Sequence, residues 1–332
     1  MDEVLVATPL PFSCTSMPHN FAGGISIRAG APILWSLSCL KGFISEVDRE
    51  KLDKTRYWLC ASRPPKSRLE DVDDLYEAAR QAMYALQIFH PSGAQNIYLA
   101  FHPKPDGWDL IGSQRPANMC STIISRLTSA ERRGLSSSTF DPIYAGVSRA
   151  FERKIVRLQN PILLLEQGTQ TGNPVLAMLM FVMGLDMLFM AGDKISFVKR
   201  VAGFLGLNSF VFPQISSFDW QPALNVGEII GDLYDFRNII AHGREIPKVP
   251  FREEHEMRRT TGELMIYERR GYAETLTEAG LFVLTEVLRR ILSEELFDHV
   301  AESAKWKAKM TLYEHRFKTS GGIVSATQHK SR

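Results

Sequence analysis

The sequence predicts an α+β N-terminal domain followed by an all-α antiparallel helical bundle, and three observations carry that reading. Short β-branched and aromatic runs bounded by Gly or Pro fall before residue 102, a small-residue stretch interrupts the chain at 134–140, and the apolar runs beyond it repeat at helical spacing. The expected organisation is an α+β domain at 1–135, a helical bundle at 136–300 and a basic C-terminal tail at 301–332.

In the first domain, 24–29 (GISIRA), 56–61 (RYWLCA) and 96–101 (NIYLAF) have the composition of strands. Ser67 and Glu70 have the spacing of a capping box. Val72, Leu75, Tyr76, Ala79, Met83 and Leu86 then keep a helical period, so a helix is expected between the last two strands. A second helix is expected over 117–132. The run 134–140 (GLSSSTF) reads as a connection and places the domain border near 136.

Beyond it, Asp141-Pro142 pairs an N-cap residue with proline at the first helical position, predicting a helix from there to about residue 165. A polar turn at 167–173 leads into the nearly apolar stretch 174–190. That stretch falls short of the ~20 residues that span a bilayer and contains Asp186, so a buried core helix is expected and no membrane partner. Asp193 caps the next helix, in which Ile195, Val198, Val201, Ala202 and Leu205 recur at core spacing and which Gly206 stops. An aromatic-rich loop at 208–222, a helix at 223–242, a polar loop through Gly262 and a final long helix at 274–299 complete the order. Leu276, Leu281, Leu284, Val287, Leu288 and Ile291 mark the apolar side of that last helix.

With Lys+Arg 39 against Asp+Glu 37, the net charge of +2 is uninformative about partners, and any nucleic-acid contact must come from a local cluster. The tail holds one. Lys305, Lys307, Lys309 and Arg316 are candidate RNA contacts, because basic side chains bind phosphates and the interleaved Trp306, Tyr313 and Phe317 have rings that stack on bases; a solvated terminus is the simpler account. Cys14, Cys39, Cys60 and Cys120 show no paired short spacing and read as reduced, mostly buried thiols. The acidic N-terminus lacks a signal-peptide layout, so a cytoplasmic location is expected. His90 and His102 flank the third strand without a matching ligand set, and neither a phosphate-binding glycine loop nor a serine-hydrolase elbow is present. No metal and no cofactor are expected.

The segment 233–243 (LYDFRNIIAHG) carries the chemistry. Arg237 is a permanent cationic fork suited to phosphate oxygens, and His242 is of the residue type that titrates near neutrality. Taken alone, these are also ordinary residues for a helix C-terminus closed by Gly243. Arg237, however, falls on the apolar stripe of Val226, Ile229, Ile230, Leu233 and Ile240, where a charge needs a partner. Five residues to His242 amount to about 140° of rotation and roughly 7.5 Å of rise, too far for one copy to aim both groups at one small target. Two copies about a twofold axis meet that requirement.

A helical bundle whose late helix ends in Arg237, the polar Asn238, three more residues and His242 resembles the HEPN superfamily (higher eukaryotes and prokaryotes nucleotide-binding domain). With 184–190 (GLDMLFM) and 193–206 (DKISFVKRVAGFLG) before it, the likeness is to the Apea-like, defence-associated subgroup and covers roughly residues 140–300. The resemblance implies a metal-independent endoribonuclease acting as a homodimer. Arg237 holds the scissile phosphate, Asn238 orients it, and His242 moves the proton or makes a second phosphate contact, while a ribose 2′-hydroxyl attacks the adjacent phosphorus and leaves a cyclic phosphate. Asp186 stands where related sequences often have Glu, and is expected either to pair with Arg237 or to tune His242. An antiphage defence or toxin effector follows from the same resemblance, its N-terminal domain sensing a trigger or binding a regulatory protein. The alternative is an inactive HEPN module used for dimerisation or for nucleotide or RNA binding.

Overall fold

The computed structural model describes residues 3–10, 19–30, 52, 55, 57–64, 70–89, 97–104, 107–114, 136–171, 173–206, 226–242, 262–293 and 295–319. The predicted helix at 117–132, Ser67 of the capping box, the loop at 208–222, Gly243, the polar loop at 243–261 and three of the four cysteines lie outside them. The chain divides into two compact units, Met1–Lys154 with Thr169–Gly172, and Ile155–Gly168 with Asn173–Arg332.

The first unit is built on an antiparallel sheet of β1 (Val4–Leu10), β2 (His19–Asn20), β3 (Ile25–Ala29), β4 (Tyr57–Arg63), β5 (Tyr98–Lys104) and β6 (Gly107–Gln114), in the order β2-β3-β4-β1-β5-β6. The three sequence-predicted strands correspond to β3, β4 and β5. β1 was not anticipated: it is an uninterrupted apolar run with every residue buried, which lacks the alternation of a half-exposed strand because it lies inside the sheet. Leu5, Ala7, Trp58, Cys60, Leu99 and Phe101 join Leu52, Ile97 and Leu110 in one core cluster. The long helix α1 (Glu70–Phe89) packs on β1 and β4.

α2 (Ser137–Glu152) begins earlier than Asp141-Pro142 predicts. Ser136 is its N-cap, and the Ser136 N–H donates to Thr139 Oγ1 at 3.1 Å, Thr139 taking the place that Glu or Gln fills in the usual box. Asp141 instead accepts from the Ala22 N–H at 3.2 Å. With Phe21 on Phe140 (4.4 Å between centroids) and Tyr84 stacked on Phe151 (5.5 Å), α2 belongs to the sheet unit. The first compact unit thus takes in the chain through Lys154, together with Thr169–Gly172. The single helix expected to residue 165 is two, α2 and α3 (Val156–Gln170), because Lys154 adopts a left-handed φ of 51° between them.

The second unit continues with α4 (Pro174–Phe189), α5 (Lys194–Leu205), α6 (Val226–Ala241), α7 (Gly262–Ser293), α8 (Leu296–Ala301) and α9 (Ser303–Thr319). α4 is the core helix: Phe181, Val182, Leu185, Leu188 and Phe189 are fully buried, and it packs on both α6 and α7. Among the described residues no single helix is long and apolar enough to cross a membrane; α4 and α5 pass that test only as a pair bent by 83°. The α5 caps are as the sequence predicts, with Asp193 accepting from the Ser196 N–H at 2.9 Å and Gly206 at the C-cap. The final helix differs. It starts at Gly262, twelve residues before the expected 274, since good helix formers such as Glu, Leu, Met and Arg extend it without an apolar stripe, and it ends at Ser293.

The expected basic tail is, as far as Thr319, the helix α9. Trp306, Met310, Tyr313 and Phe317 recur at helical spacing and are buried, packing α9 on α5. The crossing is close: a Cβ on Gly203 of α5 would stand 2.1 Å from the Tyr313 carbonyl oxygen, so only glycine fits.

Candidate functional site at the end of helix 6

The site begins with the way α4 ends. Met190 closes the helix in the left-handed region (φ 51°, ψ 44°), and its N–H donates to the Asp186 carbonyl at 2.7 Å. The freed carbonyls have donors: Trp306 Nε1 bonds Leu188 O, and Arg200 Nη1 bonds Phe189 O (2.9 Å) and Met190 O (2.7 Å) while its Nε pairs with Glu314 (2.6 Å). The last turn of α4 is therefore tied to two other helices. Asp186 lies in that turn, a carboxylate at the negative end of a helix dipole, and it needs a cation.

Arg237 of α6 is that cation. Val226, Ile229, Ile230, Leu233 and Phe236 are buried, so α6 presents Arg237 at the edge of its apolar stripe. Its Nη2 donates to Asp186 Oδ2 at 3.0 Å and its Nη1 to Asn238 Oδ1 at 2.8 Å, with the Tyr234 ring 5.5 Å from the guanidinium carbon. The side chains of Arg237 and Asp186 keep 26% and 22% of their exposure, so the pair is shielded but reachable. Asp186 Oδ1 is buried without a hydrogen-bond partner among the described residues. Burial pushes the Asp186 carboxyl above the usual aspartate range, and the Arg237 charge and a backbone hydrogen bond from Ala191 pull it back.

Of the two roles expected for Asp186, the structure places it on Arg237. His242 is exposed one residue past α6, its N–H bonded to the Asn238 carbonyl at 3.0 Å, and its ring has no hydrogen-bond or ionic partner among the described residues. Asn238 and His242 are four apart and so share a side of the helix axis, while Arg237 reaches that side by its bond to Asn238. Among the described residues two of the five guanidinium donors are engaged, and both partners are side chains.

The basic residues of α9 are divided. Lys305, Lys309 and Arg316 fall within about 40° of one another on one flank, whereas Lys307 stands on the opposite flank, about 160° from Lys305. Lys305 pairs with Glu302 at 2.7 Å, and Arg316 lies over Tyr313 at 5.8 Å. Trp306, Tyr313 and Phe317 face the bundle, so their rings are closed to bases: the combination of interleaved cations and stacking rings expected of an RNA arm is not present in α9.

Sequence reasoning missed one element of the site. Lys194, the first residue of α5, pairs with Asp235 of α6 through Nζ and Oδ2. A lysine at the positive end of a helix dipole, like Asp186 at a negative end, is a charge at the disfavoured terminus, and that is the signal that would have found it. Among the described residues no cluster of three or more His, Cys, Asp or Glu could hold a metal ion. No protein-family model, curated protein or solved structure matches the chain.

Proposed function

We propose that the chain is a metal-independent endoribonuclease of HEPN type, cytoplasmic, acting as a homodimer in antiphage defence or as a toxin, with the sheet unit sensing a trigger or binding a regulatory protein. The observation that supports this most is the bracing of Arg237 by Asp186 and Asn238 beside the exposed His242. A guanidinium held by two side chains, with donors left over, is preorganised to receive phosphoryl oxygens.

The ribose 2′-hydroxyl loses its proton to an imidazole, O2′ bonds to the adjacent phosphorus and the P–O5′ bond breaks. The proton is delivered to O5′, leaving a 2′,3′-cyclic phosphate and a 5′-hydroxyl. Arg237 neutralises charge on the non-bridging oxygens, the Asn238 amide orients them, and His242 transfers the proton. A second copy about a twofold axis brings a second Arg237 and His242 to the same phosphate, which the distance between the two groups on one helix requires. The Lys305, Lys309 and Arg316 flank adds electrostatic attraction for the strand.

The test is incubation of the purified protein with end-labelled single-stranded RNA in EDTA, beside Arg237→Ala and His242→Ala. Cleavage by the parent to cyclic-phosphate ends, lost in both variants, is expected; equal cleavage by all three ends the assignment. The second reading, an inactive HEPN dimerisation or nucleotide-binding module, is favoured by one observation: the Asp186 carboxylate already satisfies Arg237 as a structural ion pair would. On that reading Arg237→Ala lowers thermal stability and the parent cuts nothing.

A further inference from the structure

The pair that sequence reasoning missed extends the site along α6. Lys194 enters from α5, and its stem lies against Gly231 of α6: a Cβ there would stand 3.3 Å from Lys194 Cε. Glycine inside a helix is unfavourable by roughly 1 kcal/mol relative to alanine, and here it leaves room for the lysine stem to cross the α6 backbone. The ammonium then reaches Asp235, with the two side chains 39% and 34% exposed.

Asp235 precedes Asn238 by three residues and His242 by seven. On an ideal helix Asp235 and His242 therefore share one face, two turns and about 10.5 Å apart. Arg237 opens toward the α4 side and joins this face only through Asn238. The α6 face thus presents, in order, an exposed imidazole, a side-chain amide fixed by Arg237, and a part-exposed ammonium held, among the described residues, by one carboxylate.

We propose that Lys194 is a second phosphate contact of the same site, receiving the backbone of a single-stranded RNA one or two nucleotides from the phosphate at Arg237, and that Asp235 is the anion which the RNA phosphate displaces. The inference rests on the ribonuclease reading above. Asp235 keeps the lysine extended over Gly231 in the free protein, so the ammonium is already in place when the strand arrives, and the phosphate replaces one carboxylate oxygen by another anionic oxygen.

The experiment measures binding of a fluorescein-labelled oligouridylate as a function of salt, with every substitution made in the His242→Ala background so that the RNA stays intact. Lys194→Ala is expected to weaken binding several-fold and to reduce the slope of log affinity against log salt by about 0.7, the contribution of one single-strand phosphate contact. Lys194→Arg retains the slope, and Asp235→Asn tightens binding by removing the competing anion. Thermal melts separate these effects from folding. If Lys194→Ala and Asp235→Asn leave affinity and slope unchanged while Arg237→Ala abolishes binding, the pair is a structural ion pair and the inference falls alone. If neither the parent nor the His242→Ala protein binds RNA, the ribonuclease reading falls and takes this inference with it.

Discussion

Arg200 and Arg237 are almost equally shielded, at 22% and 26% side-chain exposure, and both pair with a carboxylate on another helix, yet they are held in different ways. Arg200 spends its Nη1 on two backbone carbonyls at the end of α4. Arg290 does the same at the end of α5, bonding Phe204 O and Leu205 O while its Nε bonds Glu286. Among the described residues Arg237 bonds side chains only. A backbone carbonyl at a helix end has nowhere else to go, so an arginine that satisfies it is part of the frame. Carboxylate and amide oxygens on side chains can turn away, so an arginine held by them can exchange partners. Burial alone would have placed all three in one class.

The largest expected effect tests the open side of this contrast. On the proposed ribonuclease reading, His242→Ala should lower RNA cleavage by about 10²- to 10⁴-fold, the usual worth of a proton-transferring side chain, with little change in the urea midpoint since the residue is exposed and its ring has no hydrogen-bond or ionic partner among the described residues. A parallel fall in stability would mean that His242 belongs to the frame. On the closed side, Gly203→Ala should destabilise by about 3 kcal/mol, as overpacking against the Tyr313 backbone forces α5 and α9 apart; equilibrium urea unfolding reads this directly. Arg200→Ala should cost about 2 kcal/mol by the same measurement through loss of charged hydrogen bonds to helix-end carbonyls, and should leave the pH profile of cleavage unmoved.

Glu286 sharpens the contrast through pH. Burial pushes its carboxyl up, but hydrogen bonds and charge from Arg289 and Arg290 outweigh that and bring it from 4.5 down to about 2. Because the folded value lies below the unfolded one, its contribution to stability is complete above about 4.5 and disappears as the pH falls toward about 2. The urea midpoint should drop across that window in the parent and drop less in Glu286→Gln. The smallest effect concerns α9. If the proposed RNA contact holds, Lys309→Ala should reduce the salt slope of RNA binding by about 0.7, whereas Lys307→Ala, on the opposite flank, should leave it unchanged.

Several of these features were legible in the sequence. Asp193 and Gly206 announce the ends of α5 because cap chemistry is local, and Arg237 announces its need for a partner because its position on an apolar stripe is periodic. β1 was hidden for the opposite reason: a strand covered on both faces leaves no alternation to read. α9 was misread because its lysines dominate the composition, while Trp306, Met310, Tyr313 and Phe317, at spacings of four, three and four, are a core stripe in plain form. Lys194 and Asp235 stayed invisible because their meeting depends on which helix lies beside which, and on Gly231 making the crossing close.

The seating of α9 has a bearing on synthesis. Trp306 bonds the Leu188 carbonyl 118 residues earlier in the chain, so the end of the helix that carries Asp186 gains this donor only after residue 306 has left the ribosomal tunnel. Until then Phe189 and Phe204 lack the rings that cover them, each such side chain worth about 1.5–3 kcal/mol on burial. A nascent chain cut short before Trp306 would hold Asp186 on a helix end tied, among the described residues, by Arg200 alone, without the indole donor that completes it.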